Sequence, residues 1–389
     1  MTYAAAPAAT VGTVWRLDRH VDAVIYAGDG NAVAATSSLT GAVWDGRVIG
    51  LIRGGQTEAQ LEVEVGLSSL ATLAEGQFIA GGDDGVVRVV HSGGILPLPG
   101  GHDGGSSICV AALSSSPLTS PGGDASPASA SGGASSPASA AGGDAGTVQR
   151  VASGGSDGVA LVWDVASPAA APSRIIGHSC AVTAVDFPPP SSLVASRGGG
   201  LLTASQDGRA AVWDDRFGAS DAAGGGGDSG VGGVGGGGTG GGGGLGAGGA
   251  GGGDGDGGRG GGPATPASAS RLPAMVLPLT GDAVTAAAYA PDGTGVLVAT
   301  DRCDVALWDV RAASRGAVWV TDAFWRPVRA IAPTAAVGGG VVACGSDCPA
   351  VTVLQLGDGS LGGRSFHHAD FVRGVAWDKT VAELQFEGL

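Results

Sequence analysis

Four stretches of this chain could do chemistry. Gly154-Gly155-Ser156-Asp157-Gly158 has the G-x-S-x-G spacing that sets a serine nucleophile on a strand-to-helix elbow. The residues after it alternate (Val159, Leu161, Trp163), so a strand should follow and no elbow is expected. Cys344 and Cys348 could supply half of a metal site, but no second Cys/His pair has matching spacing. His367-His368 beside Asp370 could be a metal or acid–base cluster, and a His opening a structural repeat accounts for it more simply. Matches to G-x-G-x-x-G within 222–262 belong to a glycine run and precede no helix. No enzyme activity, cofactor or metal is therefore expected.

The elements that would position these residues come from a repeat. A turn, often Asp-Gly, is followed five residues after the Gly slot by an apolar residue or Trp. The instances are Asp45-Gly46…Leu51, Asp84-Gly85…Val90, Asp157-Gly158…Trp163, Asp207-Gly208…Trp213, Arg302-Cys303…Trp308, Cys348-Pro349…Leu354 and Asp378-Lys379…Leu384. Asp-Gly suits a tight hairpin, because Gly takes positive φ at little cost. Successive markers lie 39, 73, 50, 95, 46 and 30 residues apart. Two low-complexity inserts explain the long gaps: the Ser/Pro/Ala/Gly-rich 114–147 and the Gly-rich 218–270, which should be disordered. Without them the period is about 40–45 residues, that of four-stranded propeller blades. The expected fold is all-β: one seven-bladed propeller over 1–389. The last blade is incomplete, because a strand is missing between Phe371–Trp377 and Thr380–Phe386. Ring closure between the stretch around Thr13–Leu17 and that blade is its weakest part.

The units resemble WD repeats. Gly177-His178 opens one, Asp207 sits in its hairpin turn and Trp213-Asp214 closes it. The resemblance implies a hydrogen-bonded set inside the blade: His178, Ser205, Asp207 and Trp213. Trp163 and Trp308 take the closing position in other units.

Composition limits the partners. The net charge is −15, which argues against nucleic acid, since phosphate contacts need Lys/Arg clusters, and suits basic protein partners. Five scattered Cys suggest a reducing compartment, cytoplasm or nucleus. Neither a secretory signal nor an 18-residue apolar run is present, so no membrane association is expected.

One residue is out of place. Just before the turn Asp or its equivalent, four repeats carry Asp83, Ser156, Gln206 and Asp301, all polar, but the first carries Trp44. A Trp at a hairpin tip is a strong interface candidate. The stretch from Ala34 to Gly46, containing Ser37-Ser38-Leu39-Thr40-Gly41, resembles the first blade of the methylosome protein 50 family. His368-Ala369-Asp370-Phe371-Val372-Arg373 with Trp377 is similar to that family's last blade. The resemblance implies a non-catalytic partner of the type II protein arginine methyltransferase, presenting Arg-rich substrates such as histones and Sm proteins. Trp44 would be the anchor, with Ser38, Leu39 and Thr40 beside it. An alternative is a substrate receptor of a cullin-type ubiquitin ligase. It rests on the WD-x-R endings at Trp213–Arg216 and Trp308–Arg311, where Arg216 and Arg311 would meet the adaptor. A generic WD scaffold is the third reading.

Overall fold

The computed structural model describes residues 17, 19–28, 31–40, 43–52, 56–74, 76–114, 149–167, 170–189, 192, 200–214, 273–279, 281–335, 339–366, 368 and 370–377. Among these residues the chain forms six four-stranded antiparallel sheets. In chain order they are β1 His20–Gly28, β2 Asn31–Thr40, β3 Val43–Ile52 and β4 Gln56–Val63; then β5 Leu67–Ala74, β6 Gln77–Gly82, β7 Val87–His91 and β8 Gly94–Pro97. The third sheet holds β9 Ser107–Ser114, β10 Gln149–Gly155, β11 Val159–Asp164 and β12 Ser173–Ile176. The fourth holds β13 Val182–Asp186, β14 Leu201–Ser205, β15 Arg209–Trp213 and β16 Met275–Val276. The fifth holds β17 Val284–Tyr289, β18 Gly295–Thr300, β19 Val305–Asp309 and β20 Trp319–Thr321. The sixth holds β21 Val328–Thr334, β22 Val341–Ser346, β23 Cys348–Gln355 and β24 Leu361–Ser365.

The strands follow from small and β-branched residues bounded by turns. The Gly slots in three of the hairpins behave as the repeat predicts: Gly85, Gly158 and Gly208 have φ of 78°, 76° and 78°. Cys303 takes the same slot at φ 68°, a conformation that costs a side-chain-bearing residue about 1 kcal/mol. The 114–147 stretch starts at the last residue of β9 and otherwise falls between β9 and β10 in the chain, and 218–270 falls between β15 and β16. In a meander these two connections lie at one end of their sheets, and the hairpin from second to third strand lies at the other.

The first strand of each sheet lines an inner ring, where β1, β5, β9, β13, β17 and β21 pack each against the next. Between sheets lie apolar clusters, such as Val182, Leu201, Ala211 and Trp213 between the third and fourth. Five such clusters join the six sheets in sequence.

The seventh blade is not formed among the described residues. The seventh repeat offers one strand's length before Trp377 and no second strand among the described residues, and a strand's backbone groups need partners. Residues 371–377 instead run as an extended segment between the sixth and first sheets. The Val372 amide donates to Ser346 O at 3.1 Å and the Trp377 indole to Ala332 O at 2.6 Å. On its other side, a Cβ on Gly374 would lie 2.9 Å from the Val24 nitrogen in β1. Thr13, at the start of the expected closing strand, and the stretch Thr380–Phe386 lie outside the described residues.

Candidate protein-docking site

The first sheet departs from the other five at one end. Every first strand carries a β-bulge near its start, so the sheets can be aligned residue by residue. Just past that bulge, the hairpin pairs are Gly81↔Val87, Gly154↔Ala160, Ala204↔Ala210, Ala299↔Val305 and Gly345↔Val351. The equivalent pair in the first sheet is Ala35↔Val48, a loop seven residues longer. The additional residues are Leu39 to Asp45.

These residues extend the ladder. Ser38 pairs with Asp45, Leu39 with Trp44 and Thr40 with Val43. Asp45-Gly46, expected as the hairpin turn, therefore lies inside β3, and the strands reverse between Thr40 and Val43. Trp44 is not at the tip but in the ladder one residue beyond it. Its side is open nonetheless: Trp44 is 48% exposed and its cross-strand partner Leu39 is 54% exposed. Ser38 is half-buried.

The base of this hairpin is anchored. Arg19 reaches Asp45 with two hydrogen bonds, of 3.0 and 2.9 Å. The guanidinium holds the Asp45 carboxyl below the usual carboxylate range. Lower down, the Ser37 hydroxyl donates to Leu67 O and accepts from the Leu67 amide, at 3.2 and 3.0 Å, tying the hairpin to the second sheet. The arrangement presents a large apolar pair on a braced support.

The hydrogen-bonded set of the fourth sheet differs from expectation in one member. His178 Nδ1 lies 3.1 Å from Asp207 Oδ2, and its Nε2 lies 2.8 Å from Thr203 Oγ1. The Trp213 indole donates to the same Thr203 oxygen at 2.7 Å. The hydroxyl of the set is thus Thr203 and not Ser205. Ser205 donates to Cys180 O at 3.0 Å and accepts from the Asp207 amide at 3.1 Å. The register decides between them: Leu201 opposes Trp213, which puts Thr203 on the diagonal within reach of the indole. Gly177 is small of necessity, since a Cβ there would come within 2.3 Å of the Trp213 ring.

A second set went unread in the sequence. His102 Nδ1 lies 3.0 Å from Asp157 and its Nε2 lies 2.8 Å from Ser153 Oγ. Ser, His and Asp in that order are the constellation of acyl-transfer enzymes. Ser153, however, has no exposed surface, so no substrate carbonyl can meet its oxygen. Ser156, the serine of the G-x-S-x-G match, stands exposed in the β10–β11 turn and accepts the Ser106 amide at 2.9 Å. The two networks are fasteners within their sheets.

Burial holds both imidazoles below their ordinary pKa of 6.5, against the pull of Asp157 and Asp207. The folded chain therefore binds fewer protons than the unfolded one just below pH 6.5. The stability the two His contribute is complete above that pH and is lost as pH falls through the window below it. The lost contribution is about 1.4 kcal/mol per His for each unit of depression. Imidazole NMR titration should place both midpoints below 6.5; a midpoint at or above that value for either contradicts the buried neutral ring.

The remaining candidates scatter. The Trp163 indole donates to Pro99 O at 2.8 Å rather than to a strand hydroxyl. The Trp308 indole nitrogen is buried with no hydrogen-bond partner among the described residues. Arg311 is exposed and bridged to Asp309 at 2.8 Å. Arg216 and His367 lie outside the described residues. The Trp377 ring is half-buried, unlike that of Trp44. Asp186 was not anticipated: at one end of the inner ring it accepts the Tyr289 amide at 2.7 Å, and burial pushes its carboxyl up to about 7. Among the described residues no group of three or more His, Cys, Asp or Glu could hold a metal ion.

Comparison with known proteins agrees with this architecture. Residues 171–214, covering the His178–Trp213 set, match the family described as WD domain, G-beta repeat. The WD40 beta propeller domain of Doa1, known from a crystal structure, is similar with a TM-score of 0.54 and 14% identity, covering 92% of this chain and 86% of that one. In all 1191 solved chains match, so the likeness is to a widely used architecture. None of the curated proteins matches in sequence. The chain is an all-β propeller of the WD40 type.

Proposed function

We propose that this chain is a non-catalytic docking subunit, and that its partner is a type II protein arginine methyltransferase engaged through the hairpin of the first sheet. WD40 propellers serve as protein-interaction scaffolds, and the reading starts there. The observation that carries it is the seven-residue extension with Trp44 and Leu39 exposed side by side. A rigid aromatic contributes large contact area at low entropic cost, and so makes an effective anchor. The likeness of the first and last repeats to the methylosome protein 50 family points to the enzyme. A net charge of −15 suits Arg-rich clients such as histones or Sm proteins. Cytoplasm or nucleus is the matching location.

The purified chain, mixed with the methyltransferase, is expected to elute with it as one complex in size-exclusion chromatography. Deleting Leu39–Asp45 would give the first hairpin the length of the other five and should abolish co-elution. Separate elution of the intact chain would refute the choice of partner.

A further inference from the structure

The exposed large apolar residues fall into two groups. Leu96, Ile176, Val276, Val318, Val320 and Leu361 lie on or beside the outermost strands of five sheets. The other five are Leu39 and Trp44 on the first hairpin, and Trp325, Phe366 and Phe371 around the sixth sheet. The second trio is as exposed as the first pair: Trp325 is 75% open, Phe366 57% and Phe371 52%. Trp325 precedes β21 and Phe366 follows β24. Both line one shallow recess with Arg364 and Cys348.

Four guanidiniums belong to the segments that carry these rings: Arg364 stands over Trp325, Arg326 follows Trp325 in the chain, Arg329 lies in β21 and Arg373 is two residues after Phe371, with Asp322, Asp347 and Asp370 on the same segments. Asp347 takes up two of the guanidiniums, pairing with Arg329 at 2.7 Å and Arg373 at 3.9 Å. Arg326 and Arg364 have no carboxylate within ion-pair distance among the described residues. Arg364 lies 5.0 Å above the Trp325 ring and donates to Ala323 O, which holds both groups in place. Two guanidiniums without a carboxylate in ion-pair reach thus stand beside exposed aromatic rings, in a chain of net charge −15.

We propose that this surface of the sixth sheet is a second docking site, for an acidic segment of a partner protein that carries a large apolar side chain. The apolar side chain covers Trp325 and Phe366, and its flanking carboxylates pair with Arg326 and Arg364. A basic segment would meet the unpaired guanidiniums of Arg326 and Arg364 and is disfavoured by like charge. The site stands independently of the Trp44 hairpin.

The test uses the full chain on immobilised random twelve-residue peptides of three compositions: Asp/Glu/Leu/Phe, Lys/Arg/Leu/Phe, and Asp/Glu/Ser/Asn. Retention on the first should exceed that on the other two at least tenfold. Trp325→Ser should reduce it about tenfold, and so should Arg326→Glu, an exposed change that spares the fold. Trp44→Ala should leave it intact. Equal retention on all three sets, or insensitivity to both patch variants, overturns the proposal. Concentration-dependent self-association lost in Trp325→Ser overturns it in favour of a second copy. Retention that appears only after Glu383→Lys and Glu387→Lys overturns it in favour of the chain's own C-terminal residues.

Discussion

Trp44→Ala is expected to weaken binding of the proposed methyltransferase partner by about 30-fold, roughly 2 kcal/mol or more, while leaving the thermal midpoint nearly unchanged. The two outcomes separate because the indole is half-exposed on a hairpin and belongs to none of the five clusters between sheets. Its contribution to folding is one cross-strand pair with Leu39, worth about 0.2–1 kcal/mol. The full contact area of the ring counts only when a partner covers it. Calorimetric titration beside a melting curve checks both quantities. Unchanged affinity, or a loss of affinity matched by a drop in melting temperature, would sink the anchor role.

Thr203→Val should be among the most damaging isosteric changes in the fourth sheet, with a loss of about 2–5 kcal/mol. The side chain keeps its shape and loses one oxygen. That oxygen accepts from the Trp213 indole and donates to His178 Nε2, and both groups are buried. Each would be left without a partner, at about 1–3 kcal/mol apiece. Ser205→Ala tests the alternative. It removes a bond to Cys180 O and one from the Asp207 amide, next to exposed turn residues, and should cost about 1 kcal/mol. Guanidinium denaturation of the two variants gives the comparison. If Ser205→Ala were the more costly, the assignment of the hydroxyl would be wrong.

The parts of the fold that could be read in advance are those where local chemistry is dense. Gly177, His178, Asp207 and Trp213 fall within one stretch interrupted by no insert, so spacing alone connects them. His102 belongs to an equivalent set and was missed, because the 114–147 stretch separates it from Asp157. Thr203 and Ser205 share a sheet face by the two-residue period, and only the register opposite Trp213 tells them apart. The extended first hairpin was hidden for a different reason. Counted back from Leu51, Gly46 occupies the regular slot, and the seven added residues precede it, where no earlier marker exists to expose the surplus. Trp44 still stood out by residue type, though the turn was put in the wrong place. The seventh repeat showed the reverse failure. Its phrase was legible, but a sheet requires neighbouring strands, and a phrase says nothing of those.

The junction bridged by residues 371–377 bears on how the molecule comes apart. A closed circle of sheets has no ends, and each member is gripped from two sides. Among the described residues the first and sixth members each lack one such grip, and a lone segment lies at the break, held to the sixth sheet by two hydrogen bonds and close to β1 at Gly374. Linear arrays fray from their outermost units, which give up the least on release. Thermal breathing would then enter at this joint and travel inward from both ends. The overhanging hairpin belongs to one of those two members, so a protein that grasped it would also brace the fold where it gives way first.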